Sequence, residues 1–252
     1  MPVLSDLLSD TSRGASLIYR DALTHFSTRP DNRLVSETIA GTQLLQGHFP
    51  TMGLFHHLWN IVSAIHETGR MRMTINALLN DITAHAKLLA KHGQFLLPNY
   101  AQVMTISYSG TVRDILIKAT KTSIDLKIFC LRSAPMNEGK ILAKSLQRRG
   151  ISTQILEDNK WKSFLSDITH ILVGADLLSD SFFINKTGTA DLMHAAGEYQ
   201  IPVRIITTTH RFVHGYSPAS PRNPIFEVIP YTPSMKILTE KGLIRPSDLS
   251  RQ

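Results

Sequence analysis

A single cysteine, Cys130, stands in this chain of 252 residues, which excludes an intrachain disulfide and makes a reducing cytosol the expected compartment. Aromatic residues are scarce, at 7%, and do not stud the apolar runs as they do in single-strand nucleic-acid binders. Charged residues make up 19% against 42% hydrophobic, a balance that excludes general disorder and points to a packed core. No apolar stretch is long enough to span a bilayer, and the opening run MPVLSDLLSD has neither the basic start nor the apolar length of a signal peptide. The expectation is a cytoplasmic protein, neither exported nor inserted in a membrane. Basic runs extend no further than Arg148-Arg149, and neither an internal repeat nor a low-complexity tract is evident.

What is present divides at about residue 98. Up to Leu97 there are 8 Lys+Arg against 7 Asp+Glu, and beyond it 19 against 13, so nearly all of the net +7 lies in the C-terminal part. Phosphate-ligand sites and solvated helix faces account for such a balance, and direct nucleic-acid binding is not expected. Residues 1–97 read as a helical subdomain. Helices are expected over Arg13 to His25 and Leu34 to Gln46, separated by Thr28-Arg29-Pro30-Asp31. Two apolar faces follow, Leu54, Leu58, Ile61, Val62 and Ile65, then Ile75, Leu78, Leu79, Ile82, Ala86 and Leu89. The 11 histidines include the pairs His56 and His57, His85 and His92, and His210 and His214, but no third ligand stands at metal-binding spacing from any pair. No metal and no cofactor are expected.

From residue 98 the rhythm becomes strand and helix in turn. Short apolar strands are expected at Val103 to Ile106, Leu126 to Cys130, Ser152 to Leu156, Ile171 to Val173 and Val203 to Ile206. Between them lie helical segments Thr111 to Lys121, Glu138 to Arg149, Asn159 to Leu165 and Thr187 to Tyr199, with Gly150 a helix stop. The expected fold class is α/β: the helical subdomain followed, over residues 98–252, by a Rossmann-like, mostly parallel, doubly wound sheet domain. The stretch HGYSPASPRNP after Arg211-Phe212-Val213 reads as a surface loop, Ile225 to Ile229 as a strand, and Pro233 to Lys241 as a short helix begun by Thr232-Pro233.

The chemistry is expected where strands end and helices begin, since open α/β sheets bind ligands there. The stretch from Thr169 to Val213 offers an acid, Asp176, an amide, Asn185, a cation, Lys186, and Gly188-Thr189 opening a helix. Gly188 lets an anion approach the backbone closely, free N–H groups of the first turn can donate to it, and Lys186 supplies charge. That points to a phosphate. Asp176 would repel one, so it either accepts from ligand hydroxyls, moves a proton, or caps a turn.

These residues carry a resemblance. Gly174-Ala175-Asp176, a spacer, Ile184-Asn185-Lys186-Thr187-Gly188-Thr189 and then Ala195-Ala196-Gly197-Glu198-Tyr199-Gln200-Ile201-Pro202-Val203 resemble the signature of the translation initiation factor 2B regulatory-subunit family. That family shares its fold with methylthioribose-1-phosphate isomerase and ribose-1,5-bisphosphate isomerase. Thr105-Ile106-Ser107-Tyr108-Ser109 is similar to its first sheet loop, Ser133-Ala134-Pro135-Met136-Asn137-Glu138-Gly139 to its second, and Tyr231-Thr232-Pro233 with Thr239-Glu240-Lys241-Gly242 to its C-terminal segment. Arg13-Gly14-Ala15 and Pro50-Thr51-Met52 are fainter echoes, and Phe49 stands where the enzymes carry an arginine.

The resemblance implies a ligand-binding set of Arg13, Gly14, Tyr108, Ser109, Asn185, Lys186, Gly188 and Thr189, taking a sugar phosphate or a nucleoside monophosphate. It implies a homodimer or larger homo-oligomer, with a translation factor as a further partner. The isomerases use a cysteine in the first loop and an aspartate in the Gly-Ala-Asp loop. Here Ser107 replaces the cysteine while Asp176 is kept, and the second loop lacks the enzymes' Glu-x-Arg-Pro. Ser107 and Asp176 are therefore catalytic only under an isomerase reading. The first expectation is a regulatory, ligand-binding and oligomerising protein without turnover, and the alternative is a sugar-phosphate isomerase.

Overall fold

The structure, a computed structural model, describes residues 3–10, 14–123, 125–218 and 225–251. Five helices come first: α1 (Leu4–Leu8), α2 (Ala15–Ser27), α3 (Asp31–His48), α4 (Gly53–Val62) and α5 (Thr68–Gly93). Pro30, which cannot sit inside a helix, ends the connection before α3 in extended backbone and stands as its N-cap. The apolar stripes face one another, and Ile18, Leu23, Phe26, Leu45, Phe55, Leu58, Val62 and Ile75 close a core of their own. Long α5 leaves this core at its C-terminal end, where Leu89 joins the packing under the sheet.

The sheet elements follow as β1 (Gln102–Ile106), α6 (Gly110–Ala119), β2 (Lys127–Leu131), α7 (Glu138–Gln147), β3 (Thr153–Leu156), β4 (His170–Gly174), β5 (Leu177–Leu178), β6 (Phe182–Lys186), α8 (Thr189–Glu198), β7 (Val203–Ile206), β8 (Phe226–Pro230), β9 (Lys236–Thr239) and β10 (Gly242–Ile244). Seven strands form one sheet in the order β10-β9-β7-β4-β1-β2-β3, parallel except for the β9–β10 pair. Alternate residues of each strand go to opposite faces. Met104, Ile106, Phe129, Leu131, Ile171, Val173 and Ile205 pack with Trp161, Leu165 and α8. Val103, Ile128, Cys130, Leu172 and Ile206 pack with α5, α6 and α7. Helices thus cover both faces. The order runs outward from β1 in both directions, so the crevice for a ligand lies where β1 and β4 separate at their C-terminal ends.

The sequence expectation fails at three places. The stretch holding Ile184-Asn185-Lys186 is a strand, not a loop: β5, β6 and β8 form a separate antiparallel sheet, with Asn185 opposite Glu227 and Lys186 opposite Phe226. The helix expected over 233–241 is the hairpin β9–β10: Ile237, Leu238 and Thr239 are buried in a row on a strand covered on both faces, and Gly242, at φ +115°, turns the chain. Asn159 to Leu165 is replaced by a 3₁₀ turn over Trp161–Asp167. Helix bounds elsewhere shift by a few residues, α8 starting at Thr189 after Gly188 in the left-handed region at φ +97°. Gly150 stops α7 at φ +74° as expected. Of the expected surface loop, residues 219–224 lie outside the described residues, as does Arg13.

Candidate functional site

The ends of β1 and β4 build the site, and the loop after β2 supports it. After β1 the chain turns through Ser107, and after β2 through Ser133, both non-glycine residues in the left-handed region, at φ +65° and +63°. Such positions cost of order 1–3 kcal/mol each and cluster where a side chain must be aimed. The Ser107 N–H donates to the Ser133 hydroxyl at 2.7 Å, so the second loop buttresses the first. That second loop is itself pinned by Asp158, whose carboxylate accepts the N–H groups of Ser133 and Ala134 at 2.8 and 2.7 Å. Ser109 caps α6, its hydroxyl accepting from the Val112 N–H.

Between the loops after β1 and β4, α2 and α5 lies a cavity that opens to solvent, the kind of cleft in which small ligands bind. Of the expected residues, Gly14, Ser107, Tyr108, Ser109, Asp176 and Asn185 line it. The N-terminal turn of α6, Gly110-Thr111, opens onto it beside Arg113, whose guanidinium holds Asp114 and donates to the Tyr108 hydroxyl at 2.6 Å. A helix start with a guanidinium at its first turn suits an anion.

Asp176 sits deeper. Its carboxylate faces Arg211 at 3.2 Å, and that guanidinium also donates to the Ala175 carbonyl at 2.8 Å and to the Ser16 hydroxyl at 2.8 Å. Burial pushes the Asp176 carboxyl above the ordinary carboxylate range; Arg211 pulls against that shift and Glu138 adds to it. Arg211 comes from a 3₁₀ turn, Thr209–Arg211, that follows β7, and it ties the sheet to α2. Sequence reading missed it because its partners come from distant parts of the chain and no local motif marks it.

Lys186, Gly188 and Thr189 do not line the cavity. Lys186 is 2% exposed, and its ammonium is held by Glu138 of α7 at 2.9 Å. The first turn of α8 is already answered: the Glu227 carboxylate accepts the Ala190 N–H at 2.7 Å. The Thr189 hydroxyl donates to the Lys186 carbonyl and accepts from Asn185. Two carboxylates, of Glu138 and Glu227, occupy the places an anion would take here.

Three histidines from separate elements meet beside the cavity, a convergence not visible from their spacing in the sequence. His57 of α4 stacks on His210 with centroids 4.3 Å apart, and His85 of α5 meets His210 edge-on at 4.6 Å. Among the described residues no group of His, Cys, Asp and Glu is arranged to hold a metal ion, and no helix is long and apolar enough to cross a membrane. Cys130 is fully buried on the α6 and α7 face of the sheet, and burial pushes its thiol up to about 12.

Comparison with known proteins gives a consistent neighbourhood. Residues 57–221 match the model of the initiation factor 2 subunit family. The chain is 25% identical to a putative translation initiation factor eIF-2B subunit 2-like protein of Pyrococcus furiosus, over 97% of this chain and 95% of that one. It is 24% identical to a ribose 1,5-bisphosphate isomerase of Methanocaldococcus jannaschii, over 82% and 76%. The fold is that of the translation initiation factor eIF-2B of Pyrococcus horikoshii OT3, with a TM-score of 0.88, 22% identity and coverage of 96% and 95%.

Proposed function

The chain belongs to the initiation factor 2 subunit family, and from that premise we propose that it binds a phosphorylated sugar or nucleoside monophosphate in the cavity between α2, α5 and the β1 and β4 strand ends. It acts there as a regulatory, oligomerising protein without isomerase turnover, in the cytoplasm, alone or with a translation factor. The observation that carries this reading is Ser107. It stands where the resemblance expects the enzymes' cysteine, and its hydroxyl hydrogen-bonds to no imidazole or carboxylate among the described residues. An alcohol without a dedicated base is a poor nucleophile or acid near neutral pH. The lone thiol cannot replace it, since Cys130 is buried away from the cavity with its pKa raised.

The phosphate is assigned to the start of α6, at Gly110-Thr111 with Arg113, since Lys186 is engaged with Glu138. Asn185 and Ser109, which line the cavity, would receive hydroxyls of the ligand. One observation favours the alternative, a sugar-phosphate isomerase: Asp176 is a cavity carboxyl with a raised pKa, suited to holding or moving a proton.

The decisive measurement is an aldose-to-ketose assay with methylthioribose 1-phosphate and ribose 1,5-bisphosphate, run beside calorimetric binding. Binding without turnover is expected. Robust turnover that disappears in Asp176→Asn overturns the regulatory reading in favour of the isomerase.

A further inference from the structure

The His57, His85 and His210 rings form one contiguous group at the seam between the helical part and the sheet. His85 and His210 line the cavity, and His57 stands behind His210. The Nδ1 atom of His85 is sealed from solvent and has no hydrogen-bond partner. Charged neighbours come from each element packed on the group: Asp81 of α5, and Glu240 and Lys241 of the β9–β10 turn. Glu240 is committed to the backbone, accepting the Thr209 N–H at 3.1 Å and the Thr209 hydroxyl. Burial lowers His57 to about 4, with His210 and His85 adding to the effect, and it lowers His210 as well. The His57 and His210 imidazoles are therefore neutral near pH 7.

The charge on the walls explains what an anion would change. Arg20, Arg113 and Arg211 face Asp114 and Asp176, three positive groups against two negative, a balance of one positive charge. A phosphate monoester brings about two negative charges at neutral pH. The occupied cavity would then hold one uncompensated negative charge in a partly dry site, next to imidazoles with room for a proton. We propose that the His57–His85–His210 group makes binding of a phosphorylated ligand proton-linked, capturing one proton on entry of the anion and releasing it on departure. This rests on the ligand class proposed above. The three rings share the proton as one titrating unit, with His210, in contact with both of the others, its centre. Linkage then fixes the sign. The bound state holds more protons than the free state, so affinity rises as pH falls between the free and bound pKa values of the group.

The test is calorimetric titration of the full chain with ribose 5-phosphate, a single phosphate monoester, at about pH 7.5, where its phosphate is almost fully ionised, in two buffers of different ionisation enthalpy. Uptake of about one proton per site is expected, with affinity rising up to about tenfold for each unit of pH lowered through the window. The His210→Gln variant should bind with that uptake lost, and His85→Gln, at the half-buried edge of the group, with it reduced. Binding by the wild-type protein without proton uptake overturns the linkage while leaving the ligand reading intact. Uptake unchanged in both variants also overturns it, placing the proton elsewhere. Absence of binding at any pH overturns the ligand reading and the linkage with it.

Discussion

The N–H of Gly53, the first residue of α4, donates to the carbonyl oxygen of Asp176 at 2.8 Å, joining the helical part of the chain to the loop after β4. The fit is tight: a Cβ at position 53 would stand 2.3 Å from the Arg211 carbonyl oxygen. The neighbour is backbone of a clamped 3₁₀ turn, so it cannot rotate aside. Gly53→Ala should destabilise the protein by about 1–3 kcal/mol, the usual cost of forcing a group into packed structure. It should also weaken ligand binding, because Arg211 and Asp176 move together. Urea unfolding with parallel calorimetry tests this, and a variant as stable as wild type with unchanged affinity would show that the seam is slack.

Lys186 and Glu138 form a second long-range tie, between β6 and α7, with side chains 3% and 14% exposed. Removing one partner strands the other charge away from water. Lys186→Met or Glu138→Gln should each cost about 3–5 kcal/mol, whereas replacing both with apolar residues should recover most of the loss. A double-mutant cycle by chemical denaturation measures the coupling. Single variants within the range of ordinary surface substitutions would mean that the pair is open to solvent and that Lys186 is free to meet a ligand.

Asp176 gives a pH prediction. Burial is the larger influence on it and raises its pKa, so over the acid range the folded state holds a proton that the unfolded state has lost. Stability from this group therefore falls as pH rises from the ordinary carboxylate range through the folded value. Arg211→Met removes the guanidinium that opposes the shift and should steepen that fall. Unfolding free energies at about pH 5 and about pH 8 should show a larger loss for the variant at the higher pH. An equal loss at both values would mean that Arg211 acts through its bonds to Ser16 and the Ala175 carbonyl and not through the Asp176 charge.

The sheet was legible because apolar strands of four or five residues recur between helical periods, and the crevice followed from where such strands end. Three things were not. Leu177–Leu178 is too short to register as a strand, so the hairpin carrying Asn185 and Lys186 read as loop. Thr232-Pro233 imitates a helix start, while β9 is only four residues long and buried on both faces, so no alternation marks it. The cavity's deepest contacts, Arg211 with Asp176 and Ser16, and His210 with His57 and His85, join residues whose proximity depends on how the helical part docks. Residue types announce that a cation or imidazole is available; only the tertiary arrangement says which carboxylate has already claimed it, as Glu138 claims Lys186.

Self-association is the last consequence to be tested, and the structure changes the argument for it. Ile237 and Leu238 need no second copy to cover them, being 0% and 2% exposed within the chain's own sheet. A groove between α8 and the β8–β9 connection, lined by Met193, Ile201, Pro202, Pro230 and Met235, opens at this end of the molecule. Tyr199 stands 54% exposed at the end of α8. A groove with apolar walls at the end of a sheet is a surface that a two-fold copy can fill with its own matching residues, and two-fold dimers are the commonest closed assembly. Light scattering at micromolar concentration should report about twice the 28.2 kDa chain mass. Met193→Glu, which puts a carboxylate on the groove wall without touching the cavity, should return the chain to a monomer that still binds ligand. A wild-type monomer sinks the idea, and a dimer that survives Met193→Glu places the contact on another face.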